Sequence, residues 1–335
     1  MKQKTILDIA ERLRISPSTV SRALNDHPDI NANTKIMVNK IAKEIGYVPN
    51  PIARGLRKNK TTTIGVIVPE IKHDFFSSAI SGIEDIAYQS GYTIILCQSN
   101  ESYEREVLNT RMLIQQRVAG IIVSISQTTK DGSHFKELIE HGVPLVFFDR
   151  VCPDVNAHKV VIDDENSAYE AVSYLIKKGY KNIAHLAGPT DLDICANRYR
   201  GYTRALQAGN ISSNNELVIF GGLHEQDGYN SMSILLDQSK KIDAVFAVND
   251  PVAIGAFQKI KEAGLKIPDD IGIIGFSNNK ITGLIDPKLT TVDQPSYSMG
   301  KKAAEILIEL IKNENKKILP ITEILAANLI VREST

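Results

Sequence analysis

The sequence predicts an α/β chain in two parts: an N-terminal all-α helix-turn-helix head, and a larger body of parallel sheets forming two doubly wound lobes. Three observations carry this. Residues 5–25 hold two short amphipathic segments separated by a turn. Beyond residue 60, apolar strand-like runs alternate with amphipathic stretches ending at glycine, the pattern of parallel sheets covered on both faces. Charge divides at the same place. The first 60 residues hold twelve Lys and Arg against five Asp and Glu, a net +7, and the rest holds 27 against 34, a net −7. The zero total of the 335 residues conceals a basic head on an acidic body, the footprint of a nucleic-acid-binding module fused to something else.

In the first segment Ile6, Ile9, Ala10 and Leu13 share one helix face, and in the second Val20, Ala23 and Leu24 do. Ser16 and Pro17 mark the second start, because a hydroxyl caps free N–H groups and proline is pre-set for the first helical position. Ser18, Thr19, Ser21 and Arg22 are left exposed, a set of short polar groups with one guanidinium that suits a helix lying in the major groove. Residues 25–28 form a turn. A third helix over 32–45 offers Ile36, Val38, Ile41, Ala42 and Ile45 to cover the first two, and Gly46 closes it in a left-handed cap. Pro49 and Pro51 interrupt the helix, yet Pro51 can open a short basic one with Ile52, Ala53 and Leu56 on one side and Arg54, Arg57 and Lys58 around it. Alone it is too short to be stable. It reads either as a charged linker or as a hinge helix that orders on DNA, with Leu56 wedged between base steps in the minor groove.

The strand-like runs of the body fall at 64–68, 93–97, 120–125, 145–148, 160–162, 183–187, 217–220, 244–248 and 271–275, with helical stretches at 75–91, 104–118, 167–179, 198–209 and 252–264. A break near 160 separates the two lobes, and segments 289–292 and 323–331 are placed to cross back between them. Ligands of open α/β sheets bind beyond the carboxyl ends of the strands. The polar residues there are His73 and Asp74 before Phe75, then Asp149 and Arg150, Asp163, Asn249 and Asp250, and Ser277 and Asn278. Asp163 or Asp164, and Asp250 before Pro251, read equally as helix caps.

The run from Thr5 to Asn25, the pattern Gly46-Tyr47-x-Pro49-Asn50-x-x-Ala53-Arg54-x-Leu56-Arg57, and Lys60-Thr61-x-x-Ile64-Gly65 together resemble the LacI/GalR family of transcription repressors, over essentially the whole chain. The resemblance implies a head at 1–48, a hinge at 49–60 and an effector-binding and dimerisation body at 61–335. The body would resemble periplasmic sugar-binding proteins, with three crossovers between one lobe (61–161 and 293–322) and the other (162–292 and 323–335). It implies DNA contacts from Thr5, Ser16, Pro17, Ser18, Thr19, Ser21, Arg22 and Asn25, and from the hinge residues Asn50, Ala53, Arg54, Leu56 and Arg57. Pro17 offers no side-chain hydrogen bond, so Ser18 and Arg22 carry more of the base readout.

For the effector the strand ends offer His73, Phe75, Asp149, Arg150, Asp163, Asp250 and Ser277, and the resemblance implies contacts from Phe75, Phe76 and Arg198. Ser277 stands where the family usually carries Asp, and His73-Asp74 where it usually carries Asn-Pro, so no known effector transfers directly. Leu192 and Ile194 are apolar where a purine-binding member is polar, which argues against a purine corepressor. Carboxylates, guanidinium groups and an aromatic face suit a sugar or sugar phosphate, and hence control of a carbohydrate-utilisation operon. Operator DNA, the effector and a second copy of the chain are the implied partners, with helices near 76–88 and 252–259 at the dimer contact. Gating by a partner protein, as some family members are gated by a phosphorylated carrier, stays open. A sugar-binding receptor without DNA function would need a secretion signal in place of the basic head.

Other classes lack their motifs. Histidines 27, 73, 134, 141, 158, 185 and 224 show no metal-ligand spacing, and there is no GxSxG elbow or phosphate-binding GxxxxGK[ST] loop, so neither catalysis, a metal nor another cofactor is expected. His185, in mid-strand, reads as a core residue. Cys97, Cys152 and Cys195 are odd in number and without CxxC spacing. No apolar run approaches the roughly 18–20 residues that span a bilayer, and no signal peptide precedes the head, so a cytoplasmic location is expected.

Overall fold

The computed structural model describes residues 4–47, 61–238, 241–313 and 318–335. It forms two units, Met1–Thr61 and Thr62–Thr335.

The head is three helices. Helix α1 (Ile6–Leu13) begins at Thr5, whose Oγ1 accepts from Leu7 N while its own N–H donates to Asp8 Oδ2 at 2.6 Å, a reciprocal cap. Helix α2 (Pro17–Leu24) begins at Ser16, whose Oγ accepts from Thr19 N at 3.1 Å. Helix α3 (Ala32–Glu44) is capped by Asn31. Ile9, Ala10, Val20, Ala23, Val38 and Ala42 form the core, with Leu13, Leu24, Ile41 and Ile45 partly buried around it. Gly46 takes the expected left-handed conformation, φ +67°. Two expectations fail here. Ile36 is 65% exposed, because two residues of helix turn it about 200° from Val38, away from the core. Ser21 is buried: it adjoins Val20 and sits one turn before Leu24, so the contact with α1 and α3 reaches it. The hinge, with Asn50, Ala53, Arg54, Leu56 and Arg57, lies outside the described residues.

In the body, β1 (Thr63–Val68), α4 (Asp74–Gln89), β2 (Thr93–Gln98), α5 (Tyr103–Gln115), β3 (Gly120–Val123), α6 (Ser133–Glu140), β4 (Leu145–Phe148) and β5 (His158–Ile162) build the first lobe. The second holds α7 (Asp164–Lys178), β6 (Ile183–Ala187), α8 (Asp193–Ala208), β7 (Val218–Phe220), α9 (Glu225–Asp237), β8 (Ala244–Ala247), α10 (Asp250–Glu262), β9 (Gly272–Ser277) and β10 (Thr290–Asp293). The chain then returns to the first lobe for α11 (Ser296–Lys312) and β11 (Thr322–Leu325), and crosses once more to β12 (Asn328–Ile330).

The sheets run β11-β5-β4-β3-β1-β2 and β12-β10-β9-β8-β6-β7, parallel throughout except that β12 is antiparallel to β10. The expected crossing segment 323–331 is therefore two strands in two sheets. Leu325 pairs with Ile162 and Leu329 with Val292, so residues 323–325 belong to the first lobe, and not to the second as the sequence reading had them. Helices α6, α9 and α11 were not foreseen.

Strand alternation sorts the core. Ile64, Val66 and Val68 face the layer of α4 and α11, with Phe76, Ala79, Ile83, Ala304 and Leu307. Ile67, Ile121, Val123 and Phe147 face α5 and α6, with Leu113, Phe135 and Leu138. In the second lobe Ala184, Leu186, Val245 and Ile273 face α9 and α10. On the other face lies His185, fully buried as expected of a core residue, with its Nδ1 2.9 Å from Phe246 O.

Candidate functional site

In the first sheet β1 lies between β2 and β3, and in the second β6 lies between β7 and β8. The connections therefore leave each sheet in opposite directions beside its first strand, and a crevice opens at those carboxyl ends. The loops after β1, β4, β6, β7, β8 and β9 meet there around a cavity of about 60 Å³. A larger space of about 420 Å³ lies beside it, between Val151–Asp154 and Asp191–Asp193.

Seven of the nine effector residues named from the sequence line the smaller cavity: His73, Phe75, Phe76, Asp149, Arg150, Arg198 and Ser277. Phe75 and Phe76 start α4 and meet edge to face, ring centres 5.2 Å apart. Arg150 is buried over the Phe76 ring, 5.6 Å from its centre, and its Nη1 donates to both oxygens of Glu101 at 2.8 and 3.0 Å. Asp149 sits in the left-handed region at φ 58°, a conformation aspartate tolerates, and burial pushes its carboxyl up to about 6 despite Arg150 and Arg198 nearby. Arg198 donates through Nε to Asp164 Oδ1 at 2.8 Å and through Nη1 to Val248 O at 2.7 Å, with its guanidinium 3.7 Å above the Phe276 ring. Ser277, at φ 123°, donates to Gln294 Oε1 at 2.8 Å, and Gln294 Nε2 in turn donates to Asp149 Oδ1 at 3.4 Å. That relay runs from one lobe to the other.

Two named residues do not line the cavity. Asp163 is the exposed cap of α7, accepting from Asn166 N at 2.9 Å, so the adjacent Asp164 is the carboxylate turned inward to Arg198. Asp250 is fully buried; its oxygens accept from Thr291 Oγ1 at 2.6 Å and Asn279 N at 2.7 Å, and burial raises its carboxyl to about 6. It fixes the loop after β9. Asp74 accepts from Lys280 N at 3.0 Å across the lobes. The sequence reading missed Glu101, Asp164, His224, Asn279 and Gln294. Of these only Asp164 and Asn279 had a local signal, each adjoining a strand-end residue that was named.

On the head, Pro17, Ser18 and Arg22 are exposed and Thr19 is half-buried. Ser16 Oγ lies 2.7 Å from Ser18 Oγ and 2.8 Å from Thr19 Oγ1, so three hydroxyls crowd the start of α2. Asn25 is exposed at its end, with Nδ2 donating to Ser21 O. Thr5 is exposed as the cap of α1. Among the described residues no helix is long and apolar enough to cross a membrane.

Residues 5–50 match the model of the bacterial regulatory proteins of the lacI family, and residues 172–335 match the periplasmic binding protein-like domain. The chain is 35% identical over 313 residues to the HTH-type transcriptional repressor PurR of Vibrio atlanticus (strain LGP32), covering 93% of each chain. It is similar to a solved complex of the transcriptional regulator CelR with cellobiose, at a TM-score of 0.76 and 28% identity, covering 99% of this chain and 100% of that one. It is also similar to a LacI family transcriptional regulator of Enterococcus faecium with bound ribose, at a TM-score of 0.72 and 30% identity, covering 82% and 98%. With a three-helix reader at its start and a two-lobed ligand-binding fold behind it, the chain belongs to the LacI family: it is a DNA-binding transcription repressor, not an enzyme.

Proposed function

We propose that this repressor acts in the cytoplasm as a homodimer on a pseudo-palindromic operator, and that a sugar or sugar phosphate in the cleft controls its hold on a carbohydrate-utilisation operon. One observation carries the ligand class. Among the described residues Arg150 Nε, 3.9 Å from Asp149 Oδ2, and Asn279 Oδ1, one donor and one acceptor, are buried without a hydrogen-bond partner, and both residues line the cavity. Hydroxyls, which both donate and accept, suit such a pair of groups, and the Phe75 and Phe76 rings suit the C–H face of a pyranose or furanose. The bound cellobiose and ribose of the two similar structures support the same class. Ile194 on the wall and the buried Leu192 leave that side apolar.

The smaller cavity is far below the roughly 300–1,000 Å³ of a typical small-molecule pocket, so a sugar held among its residues needs the lobes to part or must extend into the 420 Å³ space beside it. Opening must break the links from Asp74 to Lys280 and from Asp149 through Gln294 to Ser277. A ligand that favours one lobe arrangement biases the dimer, and with it the hinge residues 49–60, only by its difference in affinity for the two states. The dimer contact is assigned to α4 and α10; Tyr88 near the end of α4 is 76% exposed. Calorimetry of the full chain against monosaccharides, disaccharides and sugar phosphates tests the reading. One ligand per chain is expected, and no binding by any of them to folded protein overturns the ligand class.

A further inference from the structure

At the rim of the cleft the fold joins Glu70 and His73, from the loop between β1 and α4, to His224, which stands 154 positions from Glu70 and leads into α9. Glu70 Oε2 lies 2.5 Å from His73 Nε2 and 3.2 Å from His224 Nε2. The three donor atoms all fall within 4.8 Å of one another. We propose that Glu70, His73 and His224 bind a divalent transition metal of the zinc type, which clasps the two lobes together.

Two imidazole nitrogens and one carboxylate oxygen form a donor set that zinc takes with a fourth position open. Bonds of about 2.0–2.2 Å in a tetrahedral arrangement put neighbouring donors about 3.3 Å apart. Both Glu70–histidine distances, 2.5 and 3.2 Å, fall short of that value by less than about an ångström, so small outward adjustments of the side chains admit the ion. Asp227 Oδ2 accepts from His224 N at 2.9 Å and stands 3.5 Å from His224 Nδ1, close enough to become the carboxylate partner of a metal-bound ring. Glu70 is buried, so its carboxylate meets the two imidazoles away from bulk water. Lys72 Nζ, 3.5 Å from Glu70 Oε1, is on an exposed side chain free to swing aside. His73 and His224 both line the cavity, so the fourth position opens toward it.

The inference stands apart from the sugar reading, because the metal alone is the probe. Untagged full-length protein stripped with EDTA is titrated with ZnCl2 by calorimetry and with CoCl2 by visible absorption. The expected result is one ion per chain, a tetrahedral cobalt spectrum, and a zinc-dependent rise in melting temperature. In His224→Gln and in His73→Gln affinity falls at least about tenfold and the melting rise disappears. Both side chains are partly exposed and glutamine keeps an N–H donor for Glu70, so melting of the variants in EDTA beside the parent separates lost binding from lost folding. No zinc binding by the parent overturns the site and leaves the cluster as a hydrogen-bonded latch. Binding unchanged in a His73→Gln, His224→Gln double variant overturns it as well.

Discussion

Arg198 and Asp164 form an ion pair sealed inside the second lobe, with Arg198 Nη2 2.7 Å and Nε 2.8 Å from Asp164 Oδ1 and both residues buried. Because Nη1 also holds Val248 O, this one guanidinium ties the start of α7 to the end of β8 while lining the cavity. Its role in the cleft and its role in the fold are therefore inseparable.

Removing one partner of such a pair leaves the other buried and uncompensated, a loss of about 3–5 kcal/mol. Arg198→Ala should lower the urea midpoint of the body accordingly. Pairing it with Asp164→Leu should recover part of the loss, since the isolated carboxylate is then gone. A double variant no more stable than Arg198→Ala would show that the pair is not what holds these elements.

His185 is buried with its pKa pulled down to about 4, chiefly by burial. A depressed histidine adds stability above its unfolded pKa of about 6.5, and that stability is lost as pH falls toward 4. The span of the shift corresponds to about 3 kcal/mol. His185→Phe should therefore gain on the parent as pH drops from 6.5 to 4, by an amount of that order. Parallel stability curves for the two proteins across this window would refute the assignment.

Helices α4 and α11 touch backbone to backbone. A Cβ on Gly82 would stand 2.2 Å from Tyr297 O, and one on Gly300 2.0 Å from Ala79 O. Neither obstacle is a flexible side chain, so Gly82→Ala must push the helices apart, at a cost of about 1–3 kcal/mol or more. Thermal melting reads it directly, and Gly283→Ala, with open space around its Cβ, is the matched control.

Arg22 is exposed on α2, the helix suited to the major groove. Arg22→Ala should cost about 1–3 kcal/mol of discrimination at one operator position, seen as relaxed specificity in a binding selection. Leu56→Ala should instead weaken binding to every operator variant, because a minor-groove wedge acts through DNA bending. Both leave effector affinity unchanged in calorimetry. Operator affinity equal to the parent in Leu56→Ala removes the wedge from the mechanism.

Much of the architecture was legible along the chain because helices and strands repeat over a few residues. Thr5 with Asp8, Ser16 with Pro17, and Gly46 are local devices, and each stands where its chemistry requires. The nine strand runs read from the body all became strands, since a parallel sheet buried on both faces writes itself as consecutive apolar residues. Helix α9, with Gly228 and Asn230 in it, has no such run.

The cleft was legible only as a set of strand ends. Sequence named His73, Asp149, Arg150 and Ser277 because the end of each strand is a local property, whereas Arg198, inside α8, came only from the family resemblance. Which of Asp163 and Asp164 caps a helix and which faces Arg198 depends on a residue 34 positions away. Gln294 between Ser277 and Asp149, and His224 beside Glu70, follow from the strand order of two sheets and the chain's crossings between them. Periodicity determined the head, the alternation and the two lobes. Only the packing of distant segments, within each lobe for Arg198 with Asp164 and Arg150 with Glu101 and between lobes for His224 with Glu70, decided which charges pair and which two of the seven histidines share a carboxylate.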